Sequence, residues 1–327
     1  LSVMSKDKKY VGIDISKNDF DVSFPSGHHQ KYSNDRKGFA MLLKKLPQDA
    51  HCVMEQTGRY NQQLANYLYD CEIPVSVVNA LTVKRFIQMR LKITKTDKAD
   101  ARMIREYAEW DTPSLWQPPS DYVLRCKELR QLVSLLLKQS TALKNQRHSI
   151  ELSGTKGGLA LRIIKKKLKS IKAEVALLEQ EMETLIKTNE GDLVSHISSI
   201  PGVGQKTAMA LVVSTNAFRD FKNSNQLSSY FGLCPTMRLS GSSIRGKSRI
   251  SKAGDKDVRN LLFMCSFTAY KHNKACAELF QRIVNKGKSP KLALIAVANK
   301  LLKQILAIAK SGIPFDPNYR SINPMMK

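Results

Sequence analysis

The chain has 327 residues, 42% hydrophobic and 25% charged, the composition of a globular protein long enough for two or three domains. Its 53 Lys and Arg against 28 Asp and Glu leave a net charge of +25, which calls for a polyanionic partner, nucleic acid first and a membrane surface second. No stretch is expected to approach the roughly 18 apolar residues of a spanning helix, and neither a signal peptide nor a membrane role is expected. Cysteines 52, 71, 126, 234, 265 and 276 form no C-x-x-C pair, and the six histidines form no ligand-spaced cluster. Free thiols in a reducing compartment are therefore expected, without a zinc site.

Residues 9–24 alternate: Val11, Ile13 and Ile15 share one strand face and Asp14 lies on the other. After a tight turn at Lys17-Asn18, Phe20, Val22 and Phe24 repeat the pattern, so a β-hairpin is predicted, with a third strand at 28–33. Asp19 and Asp21 are expected to face outward. A helix follows at 35–46, then a short buried strand ending at Glu55, a helix over 60–72 and a strand over 73–79. Antiparallel strands followed by alternating helix and strand predict a mixed α/β sheet. Residues 94–109 predict a helix with Thr96 as N-cap.

The proline-rich segment 111–121 breaks the pattern, and a domain boundary is drawn at 112/113. Leu161, Ile164, Leu168, Ile171, Val175, Leu178, Met182 and Leu185 are spaced alternately by three and four residues. That seam predicts a coiled-coil hairpin over 113–190, packed on itself or on a second copy, with oligomerisation as the favoured use. Residues 191–327 read as short helices joined by basic loops. They hold the charge excess, 21 basic against 6 acidic residues, where 1–110 hold 18 against 13 and 111–190 hold 14 against 9.

Three constellations can carry chemistry. Asp14 sits mid-strand among apolar neighbours, Glu55 ends a second strand and Asp97 and Asp100 share one helix face, where carboxylate oxygens could hold hard divalent cations beside a phosphate. Each also has an ordinary reading, as a solvated strand residue, a turn cap or a partner of a helix dipole. "SIPGVGQKTA" (199–208) has the helix-hairpin-helix pattern, in which Gly202 and Gly204 admit a phosphate close to backbone N–H groups with Lys206 nearby. "LSGSSIRGKSRISKAG" (239–254) has no acid and carries Arg245, Lys247, Arg249 and Lys252. By composition it is a phosphate-binding loop or the site of a serine nucleophile flanked by cations.

Together, "GIDISK", "MEQTGRY", "KTDKADA", "IPGVGQKTA", "FGLCPT", "SGSSIRG" and "SKAG" resemble, in order and spacing, the DEDD-type insertion-sequence transposases, serine recombinases guided by a bridge RNA. The resemblance spans nearly the whole chain. It implies an RNase H-like, resolvase-type domain over 1–112, a coiled-coil linker over 113–190 and a helical transposase domain over 191–327. It implies Mg²⁺ on the tetrad Asp14, Glu55, Asp97 and Asp100, and it selects Ser240 as the nucleophile that becomes joined to DNA. Donor and target DNA, a structured non-coding RNA, a dimer or tetramer and a place at the prokaryotic nucleoid are likewise implied by the resemblance.

Overall fold

In a computed structural model the described residues are 9–318, except 57, 91–95, 155–157, 237–238, 241–243 and 246–248; at 239, 240, 244 and 245 only the backbone is described. Two compact units divide between Pro118 and Pro119.

The first unit is built on a five-stranded sheet. β1 (Lys9–Ile15), β2 (Asp19–Ser23) and β3 (His29–Ser33) form an antiparallel meander. After α1 (Arg36–Lys45), β4 (Ala50–Glu55) pairs parallel to β1. After α2 (Gln62–Asp70), β5 (Val75–Val78) pairs parallel to β4, giving the order β3-β2-β1-β4-β5. The chain then forms α3 (Ala80–Met89), absent from the expected elements, and α4 (Asp97–Asp111).

Alternation assigns the two faces. Val11, Ile13 and Ile15 pack with Phe39 and Leu42 of α1 and Leu64, Ala65 and Leu68 of α2. Tyr10 and Val53 pack on the opposite face with Val83 and Phe86 of α3 and Met103, Ile104 and Tyr107 of α4. The Pro-rich tail stays with this unit: Trp116 donates its backbone N–H to Val75 O at 2.7 Å, and Ser76 Oγ donates to Ser114 O at 2.7 Å.

The second unit is mainly helical. α5 (Asp121–Leu152) and α6 (Leu159–Ser198) form an antiparallel hairpin. α6 breaks at Glu190, whose φ of −141° and ψ of 33° are not helical. The short helix expected at 192–199 is the part of α6 beyond that break. Next come α7 (Gln205–Ser214), α8 (Ser224–Tyr230), the two-residue strands β6 (Pro235–Thr236), β7 (Leu239–Ser240), β8 (Ile244–Arg245) and β9 (Arg249–Ile250), then α9 (Lys256–His272), α10 (Lys274–Asn285) and α11 (Pro290–Ser311).

The seam of α6 has a partner within the chain: α5 packs along it, and Leu161, Ile164 and Ile171 are buried, so of the two expected packings the hairpin shows the one on itself. A narrow apolar seam needs one partner helix, and the turn after α5 supplies it at low entropic cost. One expectation needs correction: α11 does reach the length and apolarity of a spanning helix, with a mean hydropathy of 1.7 over an 18-residue window. Its Ala293, Val297, Leu301, Leu302 and Ile305 are buried in the core of the helical unit, among Ile197, Leu211, Phe231 and Leu262. Its other flank carries Lys303 and Lys310, both exposed, so the broad apolar face is turned to the core and the charged one to solvent.

Candidate active site and nucleic-acid interface

The carboxylates meet on the α4 face of the sheet. The β1–β4 register pairs Gly12 with Val53 and Ile13 with Met54, so one step further Glu55 stands beside Asp14 at the strand ends. Asp97 and Asp100 occupy the first turn of α4, which Thr96 caps by accepting from Ala99 N–H at 3.2 Å. Thr96→Ala is expected to cost about 1 kcal/mol, read from urea unfolding, because one helix donor loses its partner.

Gly12 is what lets α4 lie so close. A Cβ at Gly12 would sit 2.5 Å from Arg105 N and 2.8 Å from Arg105 Cβ, and closer still to Ala101 O. Asp14 is two residues along the same strand face from Gly12, and Asp100 directly precedes Ala101. The close approach of helix to strand therefore brings the first turn of α4 to Asp14.

The electrostatics register this convergence. Asp14 is pushed up from 3.8 to about 6, first by burial, then by the negative charges of Asp100, Glu55, Asp97 and Asp21. Glu55, Asp97 and Asp100 are thus each within electrostatic reach of Asp14. Among the described residues no three Asp, Glu, His or Cys side chains converge tightly enough to hold an ion as they stand. The donor set, hard carboxylate oxygens, is of the kind that suits a divalent ion such as Mg²⁺.

Asp21 corrects the expectation that it faces solvent. It is 5% exposed, lies opposite Asp14 across β1–β2, and pairs with His29 Nε2 at 2.6 Å. Alternation correctly set it on the face opposite Phe20 and Val22, but α4 covers that face. Asp19 remains half-exposed in an ion pair with Lys31 at 3.0 Å.

In the helical unit, Gly202 (φ +99°) is packed rather than open: a Cβ there would meet Ala269 of α9 at 2.7 Å. Gly204 starts α7 with nothing within 4 Å of its missing side chain. Lys206 Nζ is engaged by Glu179 at 2.5 Å, though 71% of its side chain stays exposed. Of the two glycines, only Gly204 has open space where a side chain would stand.

The serine-bearing loop is anchored at both ends. Ser251 N–H donates to Cys234 O at 3.0 Å, Lys252 N–H to Gly232 O at 3.1 Å, and Thr236 pairs with Arg249 between β6 and β9. Gly232 and Gly254, both left-handed, admit close contact with the backbone of Ala253 and Tyr230 respectively. Arg259 donates to the carbonyls of Phe231, Ala253 and Gly254, joining the strand of entry to that of exit. Sequence reading missed Arg259 because its role is a long-range one. Arg259→Ala is expected to cost about 1–3 kcal/mol in urea unfolding, as three carbonyls lose a charged donor. Ser240 lies on β7, its backbone paired with Ile244 of β8; Arg249 and Lys252 are exposed at the base of the loop. The side chains of Ser240 and Arg245, and Lys247 altogether, lie outside the described residues.

Comparison with known proteins agrees with both halves. Residues 194–281 match the family model described as "Transposase IS116/IS110/IS902 family", and residues 11–152 match a second transposase model, that of the IS110-type DEDD enzymes. The chain is 30% identical over 324 residues to the pilin gene-inverting protein of Moraxella lacunata, covering 94% of this chain and 98% of that one. The Moraxella bovis protein of the same name is 29% identical over the same shares. The transposase for insertion sequence element IS1111A of Coxiella burnetii is 26% identical over 90% of this chain and 88% of its own. The chain therefore belongs to the IS110 family of insertion-sequence transposases, enzymes of DNA recombination.

Proposed function

We propose that the protein cuts and rejoins DNA strands through a covalent serine–DNA intermediate, using an RNase H-like, resolvase-type domain over 1–112, a linker and oligomerisation segment over 113–190 and a transposase domain over 191–327. The observation that supports a metal-assisted step is the gathering of Glu55, Asp97 and Asp100 within electrostatic reach of Asp14, which is raised to about 6 by burial and by these acidic neighbours. Those four residues would hold Mg²⁺. Bound there, it supplies positive charge at the scissile phosphate.

Ser240 Oγ attacks phosphorus, forming a serine phosphoester as the bond to the leaving deoxyribose oxygen breaks; the serine proton leaves and the departing oxygen takes one up. Attack by the exchanged strand reverses the step and releases Ser240, so phosphodiester energy is conserved. Arg245, Lys247, Arg249 and Lys252 neutralise the surrounding phosphates. Gly204, with Gly202 and Lys206 behind it, grips a backbone at the start of α7. In this reading the serine and the carboxylates meet in a dimer or tetramer, and a bridge RNA selects donor and target DNA at the prokaryotic nucleoid.

Two relatives that match nearly end to end are named for inverting a pilin gene. Inversion needs every broken strand to be rejoined, which favours a conserved covalent intermediate. The alternative is hydrolysis by water on the same carboxylates, as in a metal-dependent junction nuclease. Trapping on a nicked substrate separates them. The serine mechanism leaves protein-linked DNA that Ser240→Ala loses while duplex binding persists. Free 5′-phosphate ends without adduct, or adduct surviving in that variant, would sink it.

A further inference from the structure

The α5–α6 hairpin has a charge polarity that its modest net charge conceals. Residues 134–152 of α5 and 159–172 of α6 hold nine Lys and Arg against one Glu. Residues 121–133 and 173–190, the other half, hold four against seven acids. The two basic stretches are separate in the chain; the antiparallel fold brings them to the same end.

That end packs only on itself, as far as the described bonds go. Polar links from the hairpin to the rest of its unit start from Arg130, which meets Ser214 and Asp255, and from Glu179, Glu183 and Glu190, which meet Lys206, Gln205 and Arg219. Cys126, Met182, Leu185 and Ile186 join the core there too. Beyond these anchors α5 runs on from 134 to 152, about 28 Å of helix.

At 100° per residue, Arg162, Lys165, Lys166, Lys169 and Lys172 fall on one flank of α6, beside the seam that α5 covers. All five are exposed, and among the described residues none is in an ion pair. Holding so many like charges on one helical flank without acids destabilises the free arm. A partner of opposite charge relieves that cost. The flank rises about 15 Å along a straight, rigid element, which fits the regular row of phosphates along a duplex. Residues 134–172 contain no Phe, Tyr or Trp, so the arm lacks the stacking platform on which single strands are held.

We propose that the distal half of the α5–α6 hairpin is a docking strip for the phosphate backbone of duplex DNA, engaged without regard to sequence and apart from the cleavage site. The proposal does not depend on which group is the nucleophile.

The test is binding of the full chain to duplex DNA of arbitrary sequence over a range of salt. Lys165→Gln/Lys169→Gln/Lys172→Gln is expected to weaken binding about tenfold and to lower the slope of log K against log salt by about 2–3, since each phosphate contact contributes about 0.9. The triple Arg variant at the same positions should restore both, and neither variant should lower the melting temperature. Arg36→Gln/Lys37→Gln/Lys44→Gln, on the exposed side of α1, removes equal charge and should leave the slope unchanged. An unchanged slope in the hairpin variant, an equal loss in the α1 variant, or a loss confined to structured RNA would each overturn the proposal.

Discussion

Asp14→Asn is expected to lower DNA strand cleavage by about 10²–10³-fold or more, while leaving the fold and duplex binding in place. The same substitution has a stability signature with a defined sign. The Asp14 carboxyl ionises at 3.8 in an ordinary setting and at about 6 in the folded protein. Between those values the folded chain holds a proton that the unfolded chain has lost, so stability falls as pH rises through this window and the full penalty is present above it. Without divalent ions, the Asn variant should therefore melt at or above the wild type above about pH 6, and the two should converge near pH 4. Added Mg²⁺ should reverse the order, raising the wild-type melting temperature and leaving the variant nearly unmoved. Melting curves at both pH values, with and without the ion, check this. Equal stabilisation of both proteins by Mg²⁺ would remove Asp14 from the ion's ligands.

Gly12→Val is expected to destabilise the first unit severely and to abolish cleavage, with Gly12→Ala intermediate at about 1–3 kcal/mol. The obstacle is backbone: even a single Cβ would collide with Ala101 O and Arg105 N of α4, which cannot rotate away as a side chain could. The helix must lift, and it carries Asp97 and Asp100 with it. Activity should thus fall further than stability alone explains, by at least about tenfold for Gly12→Ala at a temperature where it stays folded. Gly204→Ser supplies a contrast in stability: its backbone is not left-handed, nothing lies within 4 Å of a new Cβ, and Ser is a good N-cap. It should unfold within about 0.5 kcal/mol of wild type. A Gly12→Ala protein as stable and active as wild type would show that α4 does not depend on this close contact.

Much of the first unit was legible because its signals are local. Period-two alternation marks β1 and β2, Lys17-Asn18 the turn between them, and Thr96 the start of α4. What alternation could not say is what covers each face. Alternation puts Asp21 on the correct side of its strand but not under α4, which packs over β2 from some 75 residues further along the chain and leaves Asp21 buried beside His29. The spacing along α6 allows packing on α5 or on a second copy, and α5 lies along it in the tertiary structure. α3 carries its own local signal, Asn79 capping it by accepting from Leu81 N–H and Val83 and Phe86 on its buried face, yet it is missing from the elements expected from the sequence. The minimal strands β6–β9 are too short for any periodic signal; their pairing rests on the anchors at Cys234, Gly232 and Arg259.

The sequence by itself determined the chemical inventory: four carboxylates on strands and a helix start, a basic loop with its serines, an acid-poor C-terminal segment and, through ordered motifs, the transposase family. These depend on residue type and short-range spacing, which a linear chain displays directly. Only the tertiary structure decided that Gly12 brings α4 onto β1, that Asp21 belongs beside the carboxylates, that Gly202 is consumed in packing while Gly204 stays open, and that two distant basic stretches share one end of a hairpin. Those outcomes arise from burial and close backbone approach between segments far apart in the chain, where no local pattern reports which partner will arrive.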